Sequence, residues 1–457
     1  MFERFRQAHR DALERVELGR FIDDCRQLLT ARGESNSVAI AQRAIERYGR
    51  LPPEARARFF EILAEEFDPD PARVLQHAEQ YAADRSPQAL IALSKAAEPP
   101  RQEVLRRLNR APGGAGALVR MRAELLERLR GQSARLAAVD ADFQHLLGSW
   151  FNPGFLQMRR IDWNAPARLL EQIIRHEAVH EIDGWDDLRR RLQPDRRCFA
   201  FFHPTLPDEP LIFVEVALVP QMPAAIAPLI DKDAAPLTPD RFKVATFYSI
   251  SNCQPGLRGV NLGNFLIKRV AEELKREFPR LATFCTLSPI PSFAKWLSQA
   301  TELRSDRVRP ATLRELNEAL ARLRAGLADD PEQLAELARR AVPLSRERTE
   351  PADVSDEARA QLDHDQQQAM LLTRLCAFHL AHTVSEGASS DPVARFHLYN
   401  GARLERINWA ADLSSKGVKQ SLGLMVNYLY DLDEIESNHQ KFVSGQVSTS
   451  RAVSSLL

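Results

Sequence analysis

With 457 residues, 44% of them apolar, the chain is long enough for two or three domains with real cores and too apolar to be disordered overall. Its 62 Lys and Arg balance 62 Asp and Glu, which excludes a global field toward nucleic acid or an anionic membrane, so any phosphate recognition must be local. No apolar run is long enough to span a bilayer, and the five cysteines (Cys25, Cys198, Cys253, Cys285 and Cys376) are scattered without a Cys-x-x-Cys pair, which argues against a secreted disulfide framework and for idle or buried thiols.

The N-terminus, MFERFRQAHRDALERVELGRF, mixes acidic with basic residues and lacks a signal-peptide core or an acid-poor transit composition. The C-terminal Ser-Ser-Leu-Leu is not the Ser-Lys-Leu peroxisomal address, and a cytoplasmic location is expected. From residue 1 to 142 the sequence is rich in Arg, Ala, Leu and Glu, with breaks at Pro52-Pro53, Pro69, Pro71, Pro99-Pro100 and Pro112-Gly113-Gly114. That composition predicts an all-α N-terminal domain. It carries no convergent titratable set, so it reads as a packing or partner surface, and a homo-oligomer (dimer or tetramer) is expected.

Beyond Trp150 the runs CFAFFH, LIFVEVALV, VATFYSI and ATFCTL read as strands, with helices between them, including Pro166 to Glu181. Residues 304–385 return to helical composition, clearest in LRELNEALARLRAGLADDPEQLAELARRAV, before strands resume around His397. The expected class is α+β: the helical domain followed by a mixed α/β catalytic domain over 143–457, with a helical insertion at 304–385.

Within that domain, Thr246 to Phe293 reads as strand, glycine-rich turn, amphipathic helix and a second strand over Leu281 to Leu287, closed by Pro289 and Pro291. In the helix Leu266, Val270, Leu274 and Phe278 recur at helical spacing, opposite a charged face of Lys268, Arg269, Glu272, Glu273, Lys275 and Arg276. Gly256, Gly259 and Gly263 permit close backbone approach and positive φ, Arg258 adds charge, and free N–H groups at a helix start suit a phosphate. The same pattern also serves an ordinary strand-to-helix connection. The spacing Gln254-x-Gly256-x-x-Gly259 resembles the pyrophosphate loop of the acyl-CoA-binding N-acetyltransferase superfamily, and it meets neither the dinucleotide nor the triphosphate fingerprint.

Three other features carry titratable or reactive groups. His176 to His180, HEAVH, matches a zinc pattern if helical, with both imidazoles on one face, Glu177 as base and His203, Glu209 or Glu215 as a third ligand. Gly184 and Trp185 close that helix within a turn, and no metal is expected. His397 lies in Phe396-His397-Leu398-Tyr399, where strand alternation sends it opposite its apolar neighbours. On residue type alone it is a structural strand histidine, Ser288 before Pro289 is a turn residue, and Tyr430 is a core tyrosine.

Five blocks change that reading: LLGSWFNPGFLQMRRIDW from Leu146, RRCFAFFHPTLPDEPLIFVEVAL from Arg196, SISNCQPGLRGVNLGNFLIKR from Ser249, LSPIPSFAKWL from Leu287 and FHLYNGARLERINWAADLSSKGVKQSLGLMVNYLY from Phe396. In this order they resemble the malonyl-CoA decarboxylase family, over most of the chain from residue 143 onward. The resemblance implies an acetyltransferase-like catalytic domain acting on malonyl-CoA, giving acetyl-CoA and CO2 in fatty acid metabolism, with no cofactor. It implies that Ser288 and His397 are catalytic, with Tyr430 and Asn261 as further candidates, and that Arg258, Gly259, Val260, Asn261, Leu262, Gly263 and Asn264 contact substrate with Ser288 and His397. Animal members carry Glu where this chain has Asn261, so a hydrogen-bonding role survives there and a carboxylate role does not. The family keeps the Glu-Ala-Val-His part of HEAVH without the first histidine.

The chemistry suits these residue types: backbone N–H groups near Val260 to Asn264 for the enolate oxygen, Ser288 for the leaving carboxylate, and a histidine titrating near neutrality as proton donor to carbon 2. The thioester is the electron sink. An acyl-CoA N-acyltransferase on the same fold is the alternative enzyme reading, and a non-enzymatic acyl-CoA-sensing or scaffolding protein is the third.

Overall fold

The computed structural model describes residues 2–30, 36–129, 134–260, 262, 266–327, 356–383 and 391–457. The chain divides into two compact units, the first comprising Met1–Met158, Phe201–Ile212 and Asn252–Gly263, the second Arg159–Ala200, Phe213–Ser251 and Asn264–Leu457. Among the described residues no helix is long and apolar enough to cross a membrane. All five cysteines are buried, and none of them forms a disulfide.

The first unit is helical, with described helices Phe2–Leu28, Ser37–Arg50, Pro53–Glu66, Pro71–Asp84, Pro87–Ala97, Pro100–Leu108, Gly114–Arg128 and Ala134–Trp150. The helices starting at Pro53, Pro71, Pro87 and Pro100 each place proline where its missing N–H costs nothing, which is why the prolines of the sequence fall at helix starts. Asp70 and Ser86 cap two of them by accepting from Ala72 N and Ala89 N. Phe21, Phe59 and Phe60 are fully buried, and Phe21 meets Phe59 edge-on at 4.8 Å. Around this core, Glu124 accepts from Tyr48 Oη at 2.8 Å and Arg56 Nη1 at 2.7 Å, and buried Arg101 donates to Asp142 and Asp68.

The second unit is built on an eight-stranded mixed sheet: β1 Gln157–Ile161, β2 Arg196–Phe202, β3 Ile212–Val219, β4 Val244–Asn252, β5 Thr283–Thr286, β6 Ser288–Pro289, β7 Arg403–Asn408 and β8 Met425–Leu429. The order is β1-β2-β3-β4-β5-β8-β6, with β7 also on β8. Every residue of β2 and β3 is buried, as their predominantly apolar runs suit strands covered on both faces. β4 and β5 pair in parallel, Val244 opposite Thr283. The helix Leu266–Glu277 lies between them in the chain, as a parallel crossover demands, and its Leu266, Val270 and Leu274 are buried as the periodicity predicts. β8 pairs antiparallel with β5, β6 and β7. β6 ends the strand order, where Pro289 forfeits no ladder bond that the sheet needs.

Two expected elements differ. The segment 166–181 is not one helix: the helix is Ala167–His176, and Glu177 is extended at ψ 110°. His397 is not on a strand either, because Pro392–Tyr399 is an α-helix capped by Asp391. Its buried residues Ala394, His397 and Leu398 follow the helical period of three and four, and the apparent alternation of Phe396 to Tyr399 is too short to compete with an Asp-Pro helix start. Of the insertion at 304–385, the helices Pro310–Leu327 and Asp356–Phe378 and a π-helical turn over His379–Thr383 are described, and the rest of the LRELNEALARLRAGLADDPEQLAELARRAV reading lies outside the described residues.

The glycine segment belongs to the first unit and is fastened to its helices. A Cβ on Gly256 would sit 1.9 Å from Val119 O, so this glycine is required by the backbone of helix Gly114–Arg128. Buried Arg122 of the same helix donates Nη1 to Gly256 O at 2.9 Å and Nε to Asp140 Oδ1 at 2.8 Å. Gln144 Nε2 donates to Gly259 O at 2.8 Å, and Gly259 turns the chain at φ +79°. Gly256→Ala is therefore expected to cost about 1–3 kcal/mol or more through overpacking, seen as a lower midpoint of thermal unfolding. Unchanged stability would mean that the segment moves off the helix freely.

Candidate active site

β5 ends at Thr286 and β6 begins at Ser288, so pleating puts their side chains two positions apart on one face. Ser288 Oγ donates to Thr286 Oγ1 at 2.9 Å, and Thr286 Oγ1 also accepts from the Tyr428 N–H of β8 at 3.2 Å. The same alternation aligns Tyr428 with Tyr430, whose own N–H donates to Phe284 O at 2.8 Å.

Onto this face the helix Pro392–Tyr399 brings His397. Its Nε2 lies 3.0 Å from Ser288 Oγ and its Nδ1 2.9 Å from Tyr430 Oη. The ring stacks on Tyr428 with centroids 4.7 Å apart and planes at 28°. Ser288, His397 and Tyr430 are all buried, at 5%, 3% and 2% exposure, so solvent does not compete for these bonds. Because the Ser288 proton goes to Thr286, Ser288 Oγ is left as acceptor for His397 Nε2–H, and Nδ1 as acceptor for the Tyr430 hydroxyl. The hydroxyl of Tyr428 is buried with no hydrogen-bond partner among the described residues.

Burial decides the charge states here. Removal from water pushes the His397 pKa down from 6.5 to about 3, and the same cause holds the Tyr430 phenol well above its usual 10. At neutral pH both are therefore uncharged, and the expectation of a histidine titrating near neutrality is not met. The arrangement is a neutral hydrogen-bonded relay from a phenol through an imidazole to a serine, able to move a proton without an ionised resting group.

Of the residues singled out in the sequence, Ser288, His397 and Tyr430 are thus in direct contact. Arg258, Gly259, Val260 and Leu262 lie in the glycine segment of the first unit, with Arg258 and Gly259 exposed, Val260 half-buried and Leu262 buried. Asn261, Gly263 and Asn264 lie outside the described residues. Sequence reasoning missed Thr286 and Tyr428; Thr-x-Ser and Tyr-x-Tyr alternation is the signal that could have flagged them.

HEAVH does not present two imidazoles on one helical face, because its helix stops at His176. The Glu177 carboxylate instead accepts from Ser249 Oγ at 2.7 Å, Val179 N at 2.8 Å and His180 N at 2.9 Å, which occupies it as a structural acceptor. Burial pushes His180 down to about 4. Glu215, considered as a third ligand, is held by Arg191 Nη1 at 3.0 Å.

Comparison with known proteins agrees with the blocks in the sequence. The family model for the malonyl-CoA decarboxylase C-terminal domain matches residues 154–457, and that for the N-terminal domain matches residues 67–151. Malonyl-CoA decarboxylase, mitochondrial, of Anser anser anser is 36% identical over 411 residues, which covers 85% of this chain and 77% of that protein. The protein of the same name from Rattus norvegicus is 35% identical over 434 residues, covering 90% and 83%. The crystal structure of malonyl-CoA decarboxylase from Rhodopseudomonas palustris superposes with a TM-score of 0.77 at 45% identity, over 95% of this chain and 98% of that one. That from Agrobacterium vitis gives 0.77 at 46% identity, over 95% and 99%. The chain belongs to the malonyl-CoA decarboxylase family.

Proposed function

From that membership we propose that this protein converts malonyl-CoA to acetyl-CoA and CO2, with Ser288, His397 and Tyr430 performing the chemistry. The observation that carries the proposal is the buried relay Ser288–His397–Tyr430, with contacts of 3.0 and 2.9 Å. Cleavage of the bond between carbon 2 and the carboxylate leaves an electron pair that the thioester takes up as an enolate, so the reaction asks for no further electron sink. A neutral hydroxyl at Ser288, once its proton turns from Thr286 toward the substrate, can orient the leaving carboxylate without trapping it as a guanidinium would. Proton delivery then follows from the resting charges. Nε2–H of His397 breaks as the carbon 2 C–H forms, while the Tyr430 O–H breaks as Nδ1–H forms. The tautomer flips, and the negative charge of the enolate passes to the phenolate, which solvent later reprotonates. The net charge is conserved, carried over from the enolate to the Tyr430 oxygen. The segment Arg258, Gly259, Val260, Asn261, Leu262, Gly263 and Asn264 is assigned to the carrier, with exposed Arg258 as the cation for a phosphate.

Purified protein treated with chelator is expected to release CO2 and acetyl-CoA from malonyl-CoA with no amine acceptor. Turnover only with an amine would favour acyl transfer, and binding without turnover would favour a sensor. Ser288→Ala and His397→Asn should each lower kcat by about 100-fold to 10,000-fold, with acyl-CoA affinity largely kept and less than additive effects in the double variant. Tyr430→Phe should also lower kcat and leave KM near its starting value; near-normal turnover would remove Tyr430 from the relay.

The pH dependence has a defined sign. The native state keeps the His397 imidazole neutral down to about 3, whereas the unfolded chain takes up its proton near 6.5. The contribution of His397 to stability is thus present above pH 6.5 and lost progressively as pH falls toward 3. The kcat/KM profile should accordingly show no limb near 6.5 that depends on this group. An acid limb centred there and removed in His397→Asn would overturn the neutral donor.

The helical region is assigned to self-association, as a dimer or tetramer. The helices Pro71–Asp84 and Pro87–Ala97 bury only Ala96 between them and expose Leu75 at 60%, Leu90 at 48% and Ile91 at 55%. Mixed charges on the same hairpin (Arg73, Glu79, Asp84, Arg85, Lys95) suit a self-complementary contact with a second copy. Leu90→Asp with Ile91→Asp should lower the mass seen in light scattering, and an unchanged assembly, or a monomer at the outset, would refute the assignment.

A further inference from the structure

Asp391 is fully buried at the start of the helix that carries His397. Its two oxygens serve different parts of the chain. Oδ1 accepts from Val393 N at 3.0 Å and Ala394 N at 2.9 Å, which caps the His397 helix. Oδ2 accepts from Ser292 N at 2.9 Å and Ser292 Oγ at 2.7 Å, in the turn that follows Ser288. Ser292 Oγ is also 3.0 Å from His379 Nε2, whose Nδ1 meets Thr383 Oγ1 at 2.7 Å and whose ring lies against Trp296 at 4.7 Å. One carboxylate therefore ties the serine-bearing segment to the histidine-bearing helix, and a π-helical turn braces the tie.

A cap alone does not require this residue, since Ser or Asn would accept the two helix N–H bonds. What only a carboxylate supplies is acceptor capacity on both oxygens, enough for four donors from two segments. Holding it unprotonated without water has a cost, and hydrogen bonds to a charged group, worth about 1.5–3 kcal/mol each, are what offsets it. The relay needs the two segments to be held closely, because a shift of about 1 Å in a reacting geometry costs about 100-fold in rate.

We propose that Asp391, acting with Ser292, is a positioning residue of the reaction: its carboxylate clasps the His397 helix to the Ser288 turn and so sets the separation of Ser288 Oγ from His397 Nε2. The proposal rests on the decarboxylase reading for its kinetics and not for its geometry. Asp391→Asn separates clasp from cap, because the amide oxygen still accepts from Val393 and Ala394 while the amide nitrogen cannot accept from Ser292. The full-length Asp391→Asn protein is expected to lose about 10-fold to 100-fold in kcat on malonyl-CoA, with KM within about 2-fold. Ser292→Ala, which keeps one of the two turn donors, should show a smaller loss in the same direction, and it carries the test if Asp391→Asn does not fold.

Two readouts distinguish positioning from general stability. In a Ser288→Ala background Asp391→Asn should cost almost nothing further, whereas a purely structural role costs the same in both backgrounds. Independently of turnover, the ring nitrogens of His397 in histidine-labelled protein, identified by their absence in His397→Asn, should shift in Asp391→Asn as the Ser288 bond is lost. Unmoved ring signals would overturn the clasp, as would equal losses in the two backgrounds. Wild-type protein without decarboxylase activity would sink the functional reading alone, and the ring signals would still decide the clasp.

Discussion

The site depends on the exclusion of water from one imidazole. In water His397 would titrate near 6.5, and a protonated ring would bind Ser288 and Tyr430 only as acceptors. Buried, it stays neutral with one donor and one acceptor nitrogen, and each finds a hydroxyl within 3.0 Å. A neutral imidazole is a poor acid alone, so the hydroxyl on its far side becomes part of the argument for proton transfer. In the proposed relay the Tyr430 hydroxyl supplies what a dry, neutral His397 lacks.

The fold supplies that dryness from ordinary parts. Strand alternation places Thr286 with Ser288, and Tyr428 with Tyr430, so that one face offers a hydroxyl above, a hydroxyl below and a flat ring between. The Tyr428 ring covers the imidazole face at 4.7 Å, which keeps water from the ring as well as from its edges. Its hydroxyl has no partner among the described residues. Pairing of β8 with both β5 and β6 holds these residues in register, Ser288 opposite Val426.

Much of this was legible in the sequence, for identifiable reasons. The apolar runs of β2 and β3 could only be buried strands, and Leu266, Val270 and Leu274 could only be one helical face. Ser288, His397 and Tyr430 were legible through resemblance and not through residue chemistry, because no local pattern links Ser288 to His397 across 109 residues. Four residues of apolar alternation suggest a strand at His397, but Asp391-Pro392 starts a helix there. Gly256 permits close backbone approach, as the sequence suggests, and what approaches it is the carbonyl of Val119. A sequence shows that a glycine is needed, and only the fold shows what comes near it. HEAVH failed for a similar reason: its spacing is meaningful on a helix, and the helix ends at its first residue.

The fate of Glu177 and the role argued for Asp391 are one physical device used twice. Glu177 ends one helix and accepts from its own next turn, at Val179 and His180, and from Ser249 on β4. Asp391 begins another helix and accepts from its first turn and from Ser292. Each lies at a helix terminus with hydroxyl and backbone donors around it, and each joins that terminus to a segment distant in sequence. Arginine is the usual partner of a buried carboxylate, and this protein uses it for Glu215, where Arg191 sits at 3.0 Å and the Glu215 pKa still rises to about 8 through burial. Neutral donors have an advantage beside a relay that works without resting charge. In the proposed mechanism a guanidinium near Ser288 would bind the malonyl carboxylate and resist its loss as CO2, whereas hydroxyls and amides position the helix and add no cation to the site.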